Sequence, residues 1–324
     1  MIQVEPYAES IQDIIMRAPQ TLGVTIFPED LTKEIYAQLA QRFQSLPNRL
    51  CLTALLASDD AGSHQYAEWT RETCHNIGID FCLVRLTPRN VATYIKALNE
   101  NSFVHGIMVY YPIFGDARDD EIKSTVDPRK DVEGLNRAHS PHSHGVIEDS
   151  ARPRLVPTLV PCTAKAVESI LIWLGIYDRS LAEGERLNGW DICIINRSDV
   201  VGLPLAQLLA SQGARVYSVD IIGVQIYQAS LTSGVAEVRS TPTEWTLQDV
   251  VKKSGVIISA VPHRTFKVNT KWIQRGTICI NVASAKNFDT EILEVASKFV
   301  PRVGNLTIAA LLDNLLQCTK VLPS

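Results

Sequence analysis

The chain has 324 residues, of which 46% are hydrophobic and 20% charged, and its formal net charge at pH 7 is -4. This length is sufficient for two domains with filled cores. With no surplus of Lys and Arg to neutralise a phosphate backbone, we expect no nucleic-acid partner. The first residues lack the pattern of a secretory or transit peptide, and no apolar run has the length of a membrane span. Seven dispersed cysteines without a C-x-x-C pair are typical of reduced thiols, so we expect a cytoplasmic protein.

The first half of the sequence alternates helical and strand patterns. Apolar residues recur at helical spacing over 28–46, with Asp30 as the expected N-cap of that helix. Two further helices are predicted at 63–79 and 88–101. Apolar runs predict strands at 49–58, 80–86 and 104–113. This alternation is typical of parallel βαβ units.

A loop-rich segment, roughly 127–161, separates this half from a second α/β pattern. An amphipathic helix is predicted at 163–176 and an apolar helix at 305–322. Apolar runs between them predict strands at 192–195, 215–220, 255–261 and 276–283. The sequence that follows the second of these strands, up to about Pro242, predicts an insertion poor in helix. We therefore expect two α/β domains, with their boundary in the loop-rich segment.

The stretch INRSDVVGLP, from Ile195 to Pro204, has the strand–turn–helix order of a dinucleotide-binding loop. Of the three glycines typical of that loop only Gly202 is present, where it allows close packing of helix on strand. A pyrophosphate at the start of this helix would face the unpaired N–H groups of its first turn, with Val201 beside it. Arg197 can reach a phosphate or lie along a cofactor, and Ser198 can donate a hydrogen bond.

The next strand ends at Asp220, where a carboxylate can accept hydrogen bonds from the adenosine ribose, beside Ile221. The same charge repels the 2′-phosphate of NADP, so we predict NAD as the cofactor. The alternative interpretation is a turn aspartate after a strand. A later strand ends at Ala260, Val261 and Pro262, where the nicotinamide half would pass in a doubly wound sheet, although an ordinary strand end fits this pattern too.

Four segments give a more specific indication: YYPIFG…DPRKDVEGLN, LVPCTAKAV, INRSDVVGLPLA and VISAVP…GTICINVA. In this order they resemble the motifs of the methylenetetrahydrofolate dehydrogenase family, and most strongly those of its fungal, cytosolic, NAD-dependent, monofunctional branch. The resemblance implies an N-terminal α/β catalytic domain over 1–157, with 303–324 packing back on it, and a Rossmann-type NAD-binding domain over 158–302. It also implies a homodimer that acts on tetrahydrofolate, with or without a polyglutamate tail, in one-carbon metabolism and purine biosynthesis.

The departures from the family pattern indicate which reactions to expect. Bifunctional members have a lysine four residues after the tyrosine that corresponds to Tyr66, and this position is Thr70 here. The family's glutamine in the next motif is Tyr110, and the aspartate after K-D-V is Glu133. Since the lysine serves the cyclohydrolase step, we expect a dehydrogenase without that step. The alternatives are a bifunctional dehydrogenase/cyclohydrolase, a non-catalytic folate- or NAD-binding protein and a hydroxy-acid dehydrogenase.

The resemblance implies roles for six residues of the folate site. Tyr66 would pack on or hydrogen-bond the folate ring, beside Tyr110, although by itself Tyr66 has the pattern of a core tyrosine. Either Asp131 or Glu133 would accept hydrogen bonds from the pterin, with Glu133 preferred, while the alternative is a solvated charge cluster. Thr163 and Cys162 complete the set at a helix start. We expect Thr163 to cap the helix and the thiol of Cys162 to have a lowered pKa.

Among these residues we expect Cys162, Glu133 and Tyr66 to contact the reacting atoms. Three histidines, His139, His142 and His144, lie close together in a Pro- and Ser-rich stretch. A metal site needs a fixed scaffold and further ligands, so we predict no metal.

Overall fold

The structure is a computed structural model that describes residues 23–58, 61–139, 146–147, 154–155, 159–232 and 235–320. The chain divides into two compact units. The small-sheet unit contains the described residues of 29–166 and 305–324. The large-sheet unit contains those of 1–28 and 167–304. The divisions fall inside one helix and at the start of another, and the predicted α/β class is confirmed.

The described residues form eight α-helices, and their bounds follow in chain order. They are α1 (Glu29–Gln44), α2 (Ala61–Ile77), α3 (Val91–Glu100), α4 (Arg118–Thr125), α5 (Cys162–Trp173), α6 (Gly202–Ser211), α7 (Leu247–Lys253) and α8 (Gly304–Thr319). None of these helices is long and apolar enough to cross a membrane.

Thirteen strands accompany the helices in the described residues. They are β1 (Val24–Thr25), β2 (Cys51–Leu56), β3 (Asp80–Arg85), β4 (Gly106–Val109), β5 (Val146–Ile147), β6 (Arg154–Leu155), β7 (Asp191–Ile195), β8 (Arg215–Asp220), β9 (Gly223–Thr232), β10 (Val235–Thr243), β11 (Val256–Ser259), β12 (Ile278–Asn281) and β13 (Lys298–Val300).

The small-sheet unit is built on a parallel three-stranded sheet in the order β3-β2-β4. β2 and β4 are buried along nearly their whole length, as expected for apolar strands covered on both faces. The core of this unit includes Leu52, Met108 and a row of α8 residues from Ile308 to Leu316. The C-terminal helix therefore packs in the core of the first unit, as predicted. β5 and β6 form a separate antiparallel pair.

The large-sheet unit has eight strands in the order β1-β13-β12-β11-β7-β8-β9-β10. Its pairs are parallel from β1 to β8, and β9 and β10 are antiparallel. The chain after Asp220, predicted only as helix-poor, is thus a β-hairpin that extends the sheet from Gly223 to Thr243. In an open sheet of this kind ligands bind outside the carboxyl ends of the parallel strands.

Two predicted helix caps are displaced by two residues from the cap positions in the structure. α1 begins at Glu29, so Asp30 lies inside its first turn, where a carboxylate is favoured by the helix dipole. α5 begins at Cys162, so Thr163 is its second residue rather than its cap. Both differences are within the usual uncertainty of helix ends.

Candidate functional site

A tight loop after α4 is organised by Asp131, whose side chain is only 4% exposed. One carboxylate oxygen, Oδ1, accepts hydrogen bonds from the amides of Glu133 and Gly134, each at 3.1 Å. The other, Oδ2, accepts from the amide of Asn136 at 2.7 Å. Because its oxygens are used in this way, Asp131 shapes the loop that carries Glu133.

Glu133 is half-buried, and its carboxyl accepts a hydrogen bond from the amide of Val109 to Oε2 at 2.8 Å. Burial raises the pKa of this carboxyl to about 8, and the nearby charge of Asp131 raises it further, whereas the Val109 amide opposes the shift. At neutral pH the ligand-free protein therefore holds Glu133 mainly as a neutral acid. A strongly shifted pKa at a carboxyl is typical of a functional site.

Two tyrosines lie beside this carboxyl. The rings of Tyr66, on α2, and Tyr110, after β4, meet edge to face with their centroids 6.2 Å apart. Both hydroxyl oxygens are buried without a hydrogen-bond partner in the part of the chain that the structure describes. Burial raises the pKa of both hydroxyls, although for Tyr110 the Thr70 hydroxyl opposes the rise. Buried unpaired hydroxyls are costly, which is consistent with groups that meet a ligand.

The position that distinguishes bifunctional relatives, Thr70, is fully buried on α2. Its hydroxyl donates a hydrogen bond to the carbonyl oxygen of Tyr66 at 2.8 Å. Two lysines of this unit have their Nζ atoms engaged elsewhere. That of Lys130 donates to the carbonyls of Leu98 and Asn101, and that of Lys165 donates to Asp313 and Asn314.

Cys162 is the first residue of α5, and its thiol is buried. The Sγ atom donates to the carbonyl oxygen of Val132 at 3.2 Å, and the Cys162 amide donates to the carbonyl of Glu133 at 3.3 Å. The predicted lowering of the thiol pKa is wrong. Burial raises this pKa well above its usual value, with the charge of Glu133 adding to the shift, so the helix start does not produce a thiolate. Thr163, next on the helix, is half-buried.

The nucleotide loop of the large-sheet unit begins at Asn196, which has φ = 85°. Asparagine tolerates this left-handed conformation better than most residues, and its Nδ2 donates to the carbonyl of Ala260 at 2.7 Å. Gly202 opens α6, where an added Cβ would lie 1.9 Å from the carbonyl oxygen of Asn196. The carbonyl oxygen of Ser198 accepts a hydrogen bond from the amide of Leu203 at 2.9 Å, and Val201 immediately precedes the helix. The loop thus keeps one obligatory glycine and replaces another by asparagine.

Arg197 and Asp220 come together at the carboxyl end of β8. Oδ2 of Asp220 accepts a hydrogen bond from the amide of Arg197 at 3.0 Å, and Oδ1 accepts one from the amide of Ile221 at 2.6 Å. The Arg197 guanidinium donates to the hydroxyl and carbonyl of Ser218 and to the carbonyl of Gly223. In this arrangement it braces the turn between β8 and β9, which the sequence did not predict. The Ile221 side chain is fully exposed.

The predicted contact segment at Ala260–Pro262 follows β11 and is held by a residue that the sequence analysis did not identify. Asn287 is fully buried, and its Nδ2 donates to the carbonyl of Val261 at 2.9 Å. Its Oδ1 accepts the Val261 amide at 3.1 Å and the Ser259 hydroxyl at 2.8 Å. No pattern around Asn287 marks it in the sequence, because its partners Val261 and Ser259 lie 26 and 28 residues away along the chain.

Of the predicted histidine cluster, His142 and His144 lie outside the described residues. His139 is buried, with Nε2 3.4 Å from an oxygen of Asp131. Within the described residues no group of three or more His, Cys, Asp or Glu side chains could hold a metal ion.

Comparisons with known proteins agree with this arrangement. The catalytic domain of tetrahydrofolate dehydrogenase/cyclohydrolase matches residues 26–133, and the NAD(P)-binding domain of the same proteins matches residues 161–322. The chain belongs to the tetrahydrofolate dehydrogenase/cyclohydrolase family. The first matched region contains Tyr66, Tyr110 and Glu133, and the second contains Cys162 and the nucleotide loop.

Individual members of the family cover most of the chain. A relative from Dictyostelium discoideum, named methylenetetrahydrofolate dehydrogenase (NAD+), is 41% identical over 269 residues, or 82% of this chain and 84% of the relative. One of the same name from Schizosaccharomyces pombe is 36% identical over 297 residues, or 91% and 92%. The solved structure of the NAD-dependent 5,10-methylenetetrahydrofolate dehydrogenase from Saccharomyces cerevisiae matches with a TM-score of 0.85 at 32% identity, covering 93% of this chain and 98% of that one.

The pKa of Glu133 predicts how stability depends on pH. Between the unfolded value of about 4.5 and the folded value of about 8, the unfolded chain ionises first, so the folded state loses stability as pH rises through this window. Glu133→Gln keeps an oxygen for the Val109 amide but does not titrate. We expect similar melting temperatures for variant and wild type at pH 5, and a variant melting a few degrees higher at pH 9.

Scanning calorimetry at the two pH values measures this difference. Glu121→Gln, at an exposed position of α4, is the matched control and should show the same pH dependence of the melting temperature as the wild type. A difference between Glu133→Gln and wild type that does not vary with pH would contradict the raised pKa.

Proposed function

We propose that this protein oxidises 5,10-methylenetetrahydrofolate to 5,10-methenyltetrahydrofolate and transfers the hydride to NAD. The observation that carries the proposal is the Glu133 carboxyl with its raised pKa, grouped with the buried hydroxyls of Tyr66 and Tyr110 in the family's catalytic region. The names of the relatives support the same activity and cofactor. The reaction belongs to one-carbon metabolism, and we place it in the cytoplasm, where its product supplies purine biosynthesis.

The chemistry of this oxidation suits the residues present. The reacting carbon lies between two nitrogens, whose lone pairs expel the hydride, and the product is a delocalised cation. No proton leaves the carbon, so no general base is needed; the requirement is alignment of donor carbon and nicotinamide. A carboxylate stabilises the developing positive charge. A cation beside Glu133 also lowers its pKa, so formation of the product favours the ionised form, with the carboxyl proton released to water.

The remaining residues of this site bind and orient. We assign Tyr66 and Tyr110 to the folate ring, since their buried hydroxyls lack partners in the described part of the chain. Cys162 lines the site as a neutral thiol, because its raised pKa excludes a thiolate nucleophile at neutral pH. Thr163 is the next residue on α5 and is retained as a folate contact. The tetrahydrofolate substrate is accepted with or without a polyglutamate tail.

We further propose that the cyclohydrolase step is absent. Hydrolysis needs an activated water and moving protons, which the lysine of bifunctional members serves. Its position is Thr70 here, a buried residue whose hydroxyl is bound to a backbone carbonyl. The Nζ atoms of Lys130 and Lys165 are both held by other partners. Lys123, whose charge lowers the pKa of Glu133, donates from Nζ to Asp120. These observations favour a dehydrogenase without cyclohydrolase over the bifunctional alternative.

The proposal is tested by following NADH absorbance with 5,10-methylenetetrahydrofolate while formyl-tetrahydrofolate is quantified separately. We expect NADH formation, and formyl-tetrahydrofolate formation no faster than the spontaneous rate. Glu133→Gln should lower kcat by about 10²-fold, because glutamine cannot ionise to balance the positive charge that develops at the reacting carbon. Glu121→Gln should match the wild type. Binding of NAD without NADH formation would indicate a non-catalytic protein, and enzyme-dependent formyl-tetrahydrofolate would indicate a bifunctional one.

We assign the NAD site to the edge of the large sheet formed by three segments. The first is the loop with Arg197, Ser198, Val201 and Gly202, the second is Asp220 with Ile221, and the third is Ala260–Pro262. Within it Asp220 disfavours NADP by charge repulsion. Asp220→Asn removes the charge and keeps one of the two oxygens, so one of the two amides, of Arg197 or Ile221, loses its acceptor. Loss of the charge should raise kcat/KM for NADP relative to NAD by about tenfold.

Steady-state kinetics with both cofactors measure this ratio. Asp199→Asn, at an exposed position of the same loop, is the control. Equal use of NAD and NADP by the wild type would show that Asp220 does not select the cofactor.

The homodimer expected from the family resemblance is proposed to form through the large-sheet unit. β10 is the terminal strand of the eight-stranded sheet, and an exposed edge strand is a template for pairing with another chain. Sedimentation equilibrium should give twice the chain mass of 35.9 kDa. Arg239→Pro, in the middle of β10, should shift the mass toward one chain; an unchanged dimer would place the interface elsewhere.

A further inference from the structure

A single amide on the C-terminal helix connects the segments that carry the site residues. Asn314, on α8, is fully buried. Its Nδ2 donates to the carbonyl oxygen of Val132 at 3.0 Å and to that of Val160 at 3.1 Å, and lies 3.6 Å from Sγ of Cys162. Its Oδ1 accepts a hydrogen bond from Nζ of Lys165 at 3.1 Å. An amide has two donor hydrogens and one acceptor oxygen, and all of them are used here.

The partners of Asn314 are adjacent to the groups proposed to act on the folate. Val132 directly precedes Glu133, and Val160 lies two residues before Cys162. The Val132 carbonyl also accepts the Cys162 thiol, and the Cys162 amide donates to the Glu133 carbonyl. Asn314 therefore closes a network in which a shift of the Glu133 loop must move the start of α5.

A charged cluster fixes Asn314 from its other side. Lys165 contacts both Asn314 and the carboxylate of Asp313, and Arg42 on α1 contacts the second oxygen of Asp313. Burial alone would raise the pKa of Asp313, but Lys165 and Arg42 lower it to about 2, so the cluster stays charged at neutral pH. The Asn314 amide is thus oriented with oxygen toward Lys165 and nitrogen toward the two carbonyls.

We propose that Asn314 is a positioning residue for the reaction, holding the Glu133 carboxyl and the Cys162 thiol in one fixed arrangement. This inference rests on the proposed function of Glu133. A core asparagine with a structural role alone would affect stability, whereas a positioning residue affects the environment of Glu133 and turnover at a given stability.

The test uses the full chain with Asn314→Asp and Asn314→Ser. The aspartate has the shape of asparagine but cannot donate to the two carbonyls when ionised, and the serine is neutral and too short to reach all partners. Leu312→Ala is the control, because Leu312 is fully buried on the same helix but makes no side-chain hydrogen bond. Melting temperature, kcat, KM for both substrates and the pH dependence of kcat are measured for each variant.

We expect each Asn314 variant that folds to lose at least about tenfold in kcat, with KM for NAD unchanged and the pH profile displaced. Leu312→Ala should melt at a lower temperature with kcat and the pH profile of the wild type. The inference is overturned if the Asn314 variants keep the wild-type kcat and pH profile, or if Leu312→Ala alters both to the same extent.

A second readout separates failure of this inference from failure of the proposed function. Titration of the Glu133 carboxyl by ¹³C NMR in ligand-free protein requires no activity. A wild type without dehydrogenase activity would refute the proposed function, while a displaced Glu133 titration in Asn314→Ser would still support the positioning role. An unchanged titration in both Asn314 variants would refute that role.

Discussion

The hydrogen bond from the Val109 amide to the carboxyl of Glu133 is the interaction on which the catalytic region depends. Within the described residues this is the hydrogen bond that the carboxyl accepts, and desolvation favours the neutral form of the group. The loop that presents this carboxyl is closed by Asp131, whose buried oxygens accept three backbone amides. The Asp131 carboxylate therefore shapes the loop, and the Glu133 carboxyl is left available for the chemistry. Neighbouring acids with divergent environments are a common basis for divided roles.

The nucleotide loop follows a different logic, because backbone geometry rather than charge determines it. Asn196 takes the left-handed conformation usually given to glycine and uses its amide to join the ends of β7 and β11. Gly202 cannot be replaced without moving the carbonyl of Asn196. Arg197, which a sequence comparison would direct toward a phosphate, is held by Ser218 and Gly223 in the ligand-free protein. A loop with one glycine thus retains the geometry of a dinucleotide-binding turn.

Much of the fold and part of the site were predictable from the sequence, since apolar periodicity and motif order determine both. The strand before Glu133 and the strands on either side of Gly202 were predicted, as was the packing of the C-terminal helix on the first unit. The hairpin after Asp220 was not, because its register depends on pairing with the edge of an existing sheet. The thiol pKa of Cys162 was wrong in direction because a helix start is visible in sequence and burial is not. Asn314 was missed because its partners lie more than a hundred residues away along the chain.

The central claim is that Glu133 is a neutral acid in the ligand-free protein and releases its proton to water as the positive charge of the product develops. Infrared difference spectroscopy of the protein against Glu133→Gln measures this directly through the carbonyl stretch of a protonated carboxyl. The account predicts that this band is present at pH 6 without ligand, titrates near pH 8 and diminishes when 5,10-methenyltetrahydrofolate is bound. A carboxyl that is already ionised at pH 6 without ligand would contradict it.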